Sequence, residues 1–173
     1  MELLKNRDGL MLGICNGFQA LIKLGLVPYG EIIDTDETCP TLSYNVIGRH
    51  QSKIVRTRVA SNRSPWLSKV SVGDIVNVPI SHGEGRFLCS PELLEKLAEN
   101  GPIATQYVDL NGMPTMDVDF TPYGSVWAVE GILSPGGRVL GKMGHSDRVG
   151  AGLYRRVPGD SDLHLFESAK DYF

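Results

Sequence analysis

The sequence predicts a strand-rich α/β domain built on an open, mixed or parallel sheet with flanking helices. Short apolar runs typical of strands recur along the chain and outnumber the helical patterns. Residues 9–25 combine a strand, a tight turn and a helix, a unit that binds ligands at the carboxyl ends of its strands. Only fourteen residues precede Cys15. Because such a turn usually has strands on both sides, we expect the sheet to be N-terminally incomplete.

The predicted strands are segments with an alternating or continuous apolar pattern, bounded by turn residues. They are residues 9–15, 42–47, 53–60, 74–80, 103–108, 126–133 and 138–143.

Two helices have clear start and stop signals. Residues 16–25 place apolar side chains at helical spacing and end near a glycine. Residues 90–101 begin with Ser90 as N-cap and Pro91 at the first helical position, and they end at a Gly-Pro pair. A third helix is predicted to open near Ser146.

Composition places the chain among soluble globular proteins. It has 173 residues, of which 42% are hydrophobic and 21% charged, with a net charge of -3. We expect no partnership with nucleic acid or a membrane, since there is neither a basic surplus nor an apolar run of membrane-spanning length. The first residues, MELLKNRDG, do not resemble a signal peptide, so a cytoplasmic location is predicted.

The three cysteines, Cys15, Cys39 and Cys89, are widely separated and odd in number. This spacing favours free thiols over a disulfide framework or a cysteine metal clamp. No metal site is predicted, because no histidine and cysteine lie at ligand spacing.

Residues 12–19, LGICNGFQ, have the pattern of a nucleophile elbow. Gly13 and Gly17 flank Cys15 and remove Cβ atoms that would clash in so tight a reversal. The following helix presents free N–H groups, which stabilise a thiolate and a developing oxyanion. The backbone N–H of Asn16 is the expected oxyanion donor.

An arbitrary cysteine is usually a buried small residue without chemistry. The strand, the Gly-x-Cys-x-Gly turn and the amphipathic helix favour a nucleophile at Cys15. Cys39 and Cys89 have no such context, and we interpret both as structural.

A cysteine nucleophile needs a base, usually histidine, and the histidine needs an acceptor that orients it. His50 lies in a basic stretch and His164 in a polar tail, so both are expected at the surface. Spacing alone does not choose between two histidine–acid pairs for the base and its orienting acceptor. One is His82 with an acid at position 84, and the other is His145 with an acid at position 147.

The elbow GICNGFQ with a late His-x-acid pair resembles the class I (triad) glutamine amidotransferases. The resemblance narrows to the C-terminal glutaminase domains of the phosphoribosylformylglycinamidine synthases, and it covers essentially the whole chain. The further segments that carry it, in the same order, are YNVIGRHQSKIVRTRV, PISHGEGRF, QYVDLNGMPTMD, GSVWAVEGILSPGGRVLGKMGHSDR and HLFESAKDYF.

The resemblance implies a flavodoxin-like fold and a catalytic triad of Cys15, His145 and Asp147. It implies that glutamine is hydrolysed through a thioester on the cysteine. The residues expected at the substrate are Gly13, Asn16, Gly17 and Gln19. Residues 1–173 would form one glutaminase domain of a larger synthase.

The resemblance also implies partners. Ammonia would pass to a synthetase domain on the same or a partner chain. That domain would use ATP and magnesium, whereas this one needs no cofactor. We expect a homodimer through the exposed edge of the incomplete sheet.

The chain departs from the family pattern in three places. Asp147 stands where the family usually has Glu, and residues 121–125 read TPYGS where NPNGS is usual. The segment that precedes the elbow in the family, with a loop that supplies a second oxyanion N–H, is not in this sequence.

Two further segments and two further functions allow other interpretations. Residues 136–143, GGRVLGKM, nearly match a P-loop, but Met143 cannot bind magnesium, and a turn between two strands explains the glycines better. A basic stretch from Arg49 to Arg63 is interpreted as a solvated strand edge, with docking onto a synthetase as the alternative. For function, the alternatives are a non-catalytic assembly module and a cysteine hydrolase on the same scaffold.

Overall fold

The computed structural model describes residues 1–150 and 152–173, which form a mixed six-stranded sheet, a two-stranded sheet, five α-helices and two short 3-10 helices. The strands are β1 (Met11–Ile14), β2 (Thr41–Tyr44), β3 (Gln51–Val59), β4 (Ile75–His82), β5 (Glu84–Leu88), β6 (Ile103–Tyr107), β7 (Val129–Leu133) and β8 (Val139–Lys142). The helices are α1 (Glu2–Asn6), α2 (Asn16–Lys23), α3 (Leu26–Tyr29), α4 (Pro91–Asn100) and α5 (Leu165–Tyr172).

The large sheet has the order β1-β8-β7-β6-β3-β4, and β2 pairs with β5 in the small one. Among the named strands that the structure describes, β1 and β8 are the parallel pair, and the other pairs are antiparallel. The predicted fold class, an open mixed α/β sheet with flanking helices, is confirmed.

The sheet has a hydrophobic core on each face. Ile132 and Leu133 are neighbours in β7 but belong to different clusters, because successive side chains of a strand point to opposite faces. The cluster of Ile132 includes the apolar face of α2, and that of Leu133 includes Leu165 of α5. The nucleophile-bearing unit is therefore anchored by a buried helix face on one side of the sheet.

All the predicted strands are present, with shifted ends. The strand at residues 84–88 was missed because its sequence, EGRFL, has glycine and charge where a strand pattern needs apolar residues. It pairs with β2, so tertiary pairing overrides its weak local signal.

Both well-signalled helices are present. Ser90 Oγ accepts a hydrogen bond from the Leu93 N–H, and Gly101 ends α4 in the left-handed conformation at φ 72°. The helix predicted near Ser146 is wrong, because residues 146 and 147 form a turn within the loop that follows β8. The C-terminal helix starts later, at Leu165.

The interpretation of the basic stretch as a strand edge holds for only part of β3, the strand that carries most of it. Residues 51–58 pair with β4, whereas residues 57–59 alone pair with β6 on the other side. Two of its cations donate to loop carbonyls: Lys53 to Asp119 O at 2.9 Å and Arg56 to Leu110 O at 2.7 Å. The stretch therefore stabilises loops.

Strand β1 is an edge strand of the large sheet. The N–H groups of Met11 and Cys15 donate to β8 or its flank, at 3.0 and 2.9 Å. Because backbone groups alternate in direction along a strand, those of Leu12 and Ile14 face away from β8. The edge beside the elbow is therefore open to pairing.

Candidate active site

Cys15 lies at the turn between β1 and α2, with φ 56° and ψ -111°. A non-glycine residue in this region is strained, and such strain collects at functional sites. A Cβ on Gly13 would come within 2.7 Å of the Gly17 carbonyl, so the turn requires Gly13. A Cβ on Gly17 would meet nothing within 4 Å, so the expected clash there is absent.

The Cys15 thiol is partly shielded from water. Burial raises its pKa above the ordinary value of 9.0, while a hydrogen bond from the Asn16 backbone N–H and the charge of Arg148 lower it. The net rise keeps the thiol protonated near neutral pH. A base must therefore take its proton before or during any attack.

The pair His145 and Asp147 lies in the loop after β8, the strand that is parallel to β1. His145 Nδ1 is 3.2 Å from Asp147 Oδ1, so the shorter acid reaches the ring. The His145 side chain is 15% exposed. With Nδ1 engaged, Nε2 is left for proton transfer.

Parallel strands bring Cys15 and His145 to the same edge of the sheet, since each follows the carboxyl end of its strand. Within residues 1–150 and 152–173, Cys15 Sγ makes no hydrogen bond to the imidazole. In unliganded enzymes, catalytic hydrogen bonds are often longer and tighten when substrate binds.

The competing histidine, His82, is buried and stacks on Tyr123 at a centroid distance of 4.2 Å. Its Nδ1 is engaged by the Glu84 carbonyl, not by the Glu84 carboxylate. Burial lowers the pKa of His82 from 6.5 to about 4. So weak a base is poorly matched to proton abstraction near neutral pH.

This buried histidine predicts an acid-sensitive component of stability. Between pH 6.5 and about 4, His82 binds a proton in the unfolded chain but not in the folded one. The free energy of unfolding should therefore fall as pH falls through this window. Urea denaturation across the window should give a smaller pH dependence for His82→Phe, which keeps the ring on Tyr123. Equal pH dependences for the parent and His82→Phe would contradict the assignment of the acid-sensitive component to His82.

A cavity of about 420 Å³ lies beside the elbow, and Asn16 is one of its lining residues. Gln19 and Glu84 line it, with Gln19 Nε2 3.4 Å from Glu84 Oε2. Tyr44 and His82 complete the wall with Gly83. The cavity thus offers an amide and a carboxylate next to the nucleophile's turn.

Some residues of this site carry little signal in the sequence. Arg148, whose charge acts on Cys15, directly follows Asp147, and its place beside the His-x-Asp pair could have been noted. Tyr44 and Tyr123 come from distant segments and meet the site only through the fold.

The near P-loop is a turn, as predicted. Gly137 N–H donates to Ser134 O at 2.9 Å, closing the connection between β7 and β8. Lys142, at the position of the P-loop lysine, has no exposed side-chain surface and pairs with Glu130. It cannot bind a phosphate.

The part of the chain that the structure describes contains no group of three or more His, Cys, Asp or Glu side chains placed to hold a metal ion. It also contains no helix long and apolar enough to span a bilayer. His50 is exposed and lies 3.1 Å from Ser81 Oγ, and His164 is 39% exposed, so both surface predictions are confirmed.

Comparison with known proteins gives the family of the chain. The family model for the CobB/CobQ-like glutamine amidotransferase domain matches residues 1–173. Two relatives are phosphoribosylformylglycinamidine synthase subunits PurQ. The subunit of Thermomicrobium roseum is 36% identical over 91% of this chain and 60% of its own length, and that of Chlorobaculum tepidum is 34% identical over 91% and 61%.

Among solved structures, a chain from the structure of PurLQS from Thermotoga maritima superposes with a TM-score of 0.68 and 26% identity. The match covers 96% of this chain and 63% of that one. The chain thus spans about three fifths of the length of the curated relatives it matches. The resemblance found in the sequence is confirmed: the chain belongs to the family of CobB/CobQ-like glutamine amidotransferase domains.

Proposed function

We propose that this chain hydrolyses glutamine and supplies ammonia for phosphoribosylformylglycinamidine synthesis, a step of purine biosynthesis. The observation that carries the proposal is the strained elbow that presents Cys15 at the carboxyl end of β1, with the His145–Asp147 pair after the adjacent parallel strand. The names of the PurQ relatives supply the synthase.

In the proposed reaction, Cys15 Sγ attacks the side-chain amide carbon of glutamine. His145 accepts the thiol proton and delivers it to the departing nitrogen, so ammonia leaves and a glutamyl thioester remains. The Asn16 N–H stabilises the oxyanion. His145 then takes a proton from a water molecule, whose oxygen attacks the thioester carbon. The C–S bond breaks, His145 returns the proton to Cys15 Sγ, and glutamate leaves.

The cavity beside Asn16 suits the other end of the substrate. Glutamine carries an α-ammonium and an α-carboxylate. The Glu84 carboxylate is a partner for the ammonium, and the Gln19 amide can donate to the carboxylate. Gly13 and Gly17 shape the turn, as the close approach of Gly13 to the Gly17 backbone supports.

The two alternatives are weaker. A non-catalytic assembly module has no need for strain at Cys15, which costs on the order of 1–3 kcal/mol. A general cysteine hydrolase needs no amide and carboxylate pair in the adjoining cavity. A glutamine-derived chloroketone distinguishes both from the proposal, because it requires a nucleophile and glutamine recognition together.

The proposed partner is an ATP-dependent synthetase on the same or another chain, in a cytoplasmic location. The solved relative comes from a structure entitled PurLQS, which is consistent with such an assembly. ATP and magnesium would act in the synthetase, and no cofactor is proposed for this domain.

The open edge of β1 should promote self-association, which sizing chromatography at several concentrations would detect. Elution as a monomer at every concentration would contradict this expectation.

A further inference from the structure

A buried ion pair lies next to the loop that carries His145, the proposed base. The side chains of Lys142 in β8 and Glu130 in β7 have no solvent exposure, and Lys142 Nζ is 3.1 Å from Glu130 Oε1. Removing two charges from water carries a desolvation cost that the pairing alone often fails to offset. The pair therefore needs further contacts.

Those contacts satisfy both charged groups. The Lys142 ammonium has three N–H bonds, and besides Glu130 it donates to Gly144 O at 3.0 Å and Ser146 Oγ at 2.9 Å. Glu130 also accepts from the Gly144 N–H, at 2.5 Å, and from the Thr105 hydroxyl. Every ammonium proton thus has an acceptor.

The contacts converge on the loop that carries His145. Gly144 precedes the histidine and is held through both its N–H and its carbonyl, while Ser146 follows it and is held through its hydroxyl. The backbone N–H of His145 donates to Pro79 O at 2.9 Å. The residues before and after His145 are therefore held in place by hydrogen bonds to the buried ion pair.

Gly144 must be glycine for this arrangement. A Cβ there would lie 2.7 Å from Val78 Cγ2 and 2.9 Å from Glu130 Oε1. A side chain would push the loop away from the carboxylate. The close approach brings the peptide groups of the loop within reach of the buried charges.

We propose that the Glu130–Lys142 pair is a positioning device for the general base, which holds residues 144–146 so that His145 is aimed at Cys15. The inference rests on the proposed function. Neither residue touches substrate. Apolar replacement of a buried ion pair is often neutral or stabilising, so stability alone gives no reason for these two charges.

The test is the double variant Glu130→Leu with Lys142→Met, which removes both charges without leaving one unpaired. The denaturation midpoint should fall, because the Gly144 N–H and the hydroxyls of Ser146 and Thr105 lose buried partners, but the variant should still unfold in one cooperative transition. In the presence of the synthetase, kcat for glutamine hydrolysis should fall by about 100-fold, the cost of a misplacement of roughly 1 Å. KM should stay unchanged, because the cavity beside Asn16 is untouched.

A second readout needs no glutamine. The rate of Cys15 alkylation by iodoacetamide, followed against pH, reports how easily the thiol loses its proton. The profile of the double variant should move toward that of His145→Ala. A merely structural pair would leave this profile unchanged.

Ile132→Val is the matched control, because Ile132 is buried in the same strand as Glu130 and contacts neither charge through a hydrogen bond. It should keep the parent kcat and alkylation profile. Ser146→Ala removes one Lys142 contact and keeps the pair, and it should lower kcat by about 5- to 10-fold.

A folded double variant with the parent kcat and the parent alkylation profile would overturn the inference. If the double variant does not fold, Ser146→Ala provides the test. A Ser146→Ala protein with the kcat and the alkylation profile of the parent would also overturn the inference. A parent protein without glutaminase activity in the presence of the synthetase would instead contradict the proposed function. The alkylation profiles would still decide the role of the pair.

Discussion

Replacing Cys15 with alanine is expected to lower glutamine hydrolysis by about 10⁴- to 10⁶-fold, the usual loss when a nucleophile is removed. Alanine keeps the turn but removes the sulfur that would attack, and the Cys15 thiol is the group beside the Asn16 N–H. Ammonia release in the presence of the synthetase measures the effect.

The matched control is Cys89→Ala. Cys89 is another half-buried free cysteine, and burial raises its pKa to about 11, so it stays protonated and should be dispensable. Cys15→Gly adds a thermodynamic check, because glycine relieves the strain at φ 56°. It should be inactive but more stable than Cys15→Ala. Parent activity in Cys15→Ala would refute the nucleophile.

Replacing His145 with alanine is expected to lower hydrolysis almost as much as removing Cys15. The Cys15 thiol is protonated near neutral pH because burial raises its pKa, so attack depends on the base. The losses should not add in the double variant, since the two residues act as a unit. Single-turnover measurements of thioester formation would show the loss directly.

Two variants frame this result. His82→Phe should retain most of the activity, because a histidine with a pKa of about 4 contributes little as a base. The rate of hydrolysis by Asp147→Asn should lie between the rates of His82→Phe and His145→Ala. Asparagine keeps a hydrogen-bond partner at His145 Nδ1 but loses the charge. If His82→Phe lowered the rate of hydrolysis more than His145→Ala, His82 and not His145 would be the general base.

The elbow could be predicted from sequence because its signal is local. Gly13, Cys15 and the apolar face of α2 lie within one short segment, and the steric demand on Gly13 follows from the turn itself. The His145–Asp147 contact was also open to sequence reasoning, since two residues so close in the chain can meet without help from the rest of the fold.

Features set by tertiary packing could not be predicted. Strand β3 looked like a charged edge along its whole length, but its last residues, 57–59, pair with β6 as well. The helix expected near Ser146 is replaced by a turn, because the Ser146 hydroxyl binds buried Lys142 instead of capping a helix. The lysine itself resembled a phosphate ligand, and its carboxylate partner lies on another strand.

The central claim is that Cys15 carries a glutamyl thioester during turnover. Rapid acid quenching of the protein with isotopically labelled glutamine, followed by mass spectrometry of its peptides, tests this most directly. We expect the label on the peptide that contains Cys15, and none in the Cys15→Ala protein. Label on the peptide of Cys39 or Cys89, or ammonia release without any labelled cysteine, would contradict the claim.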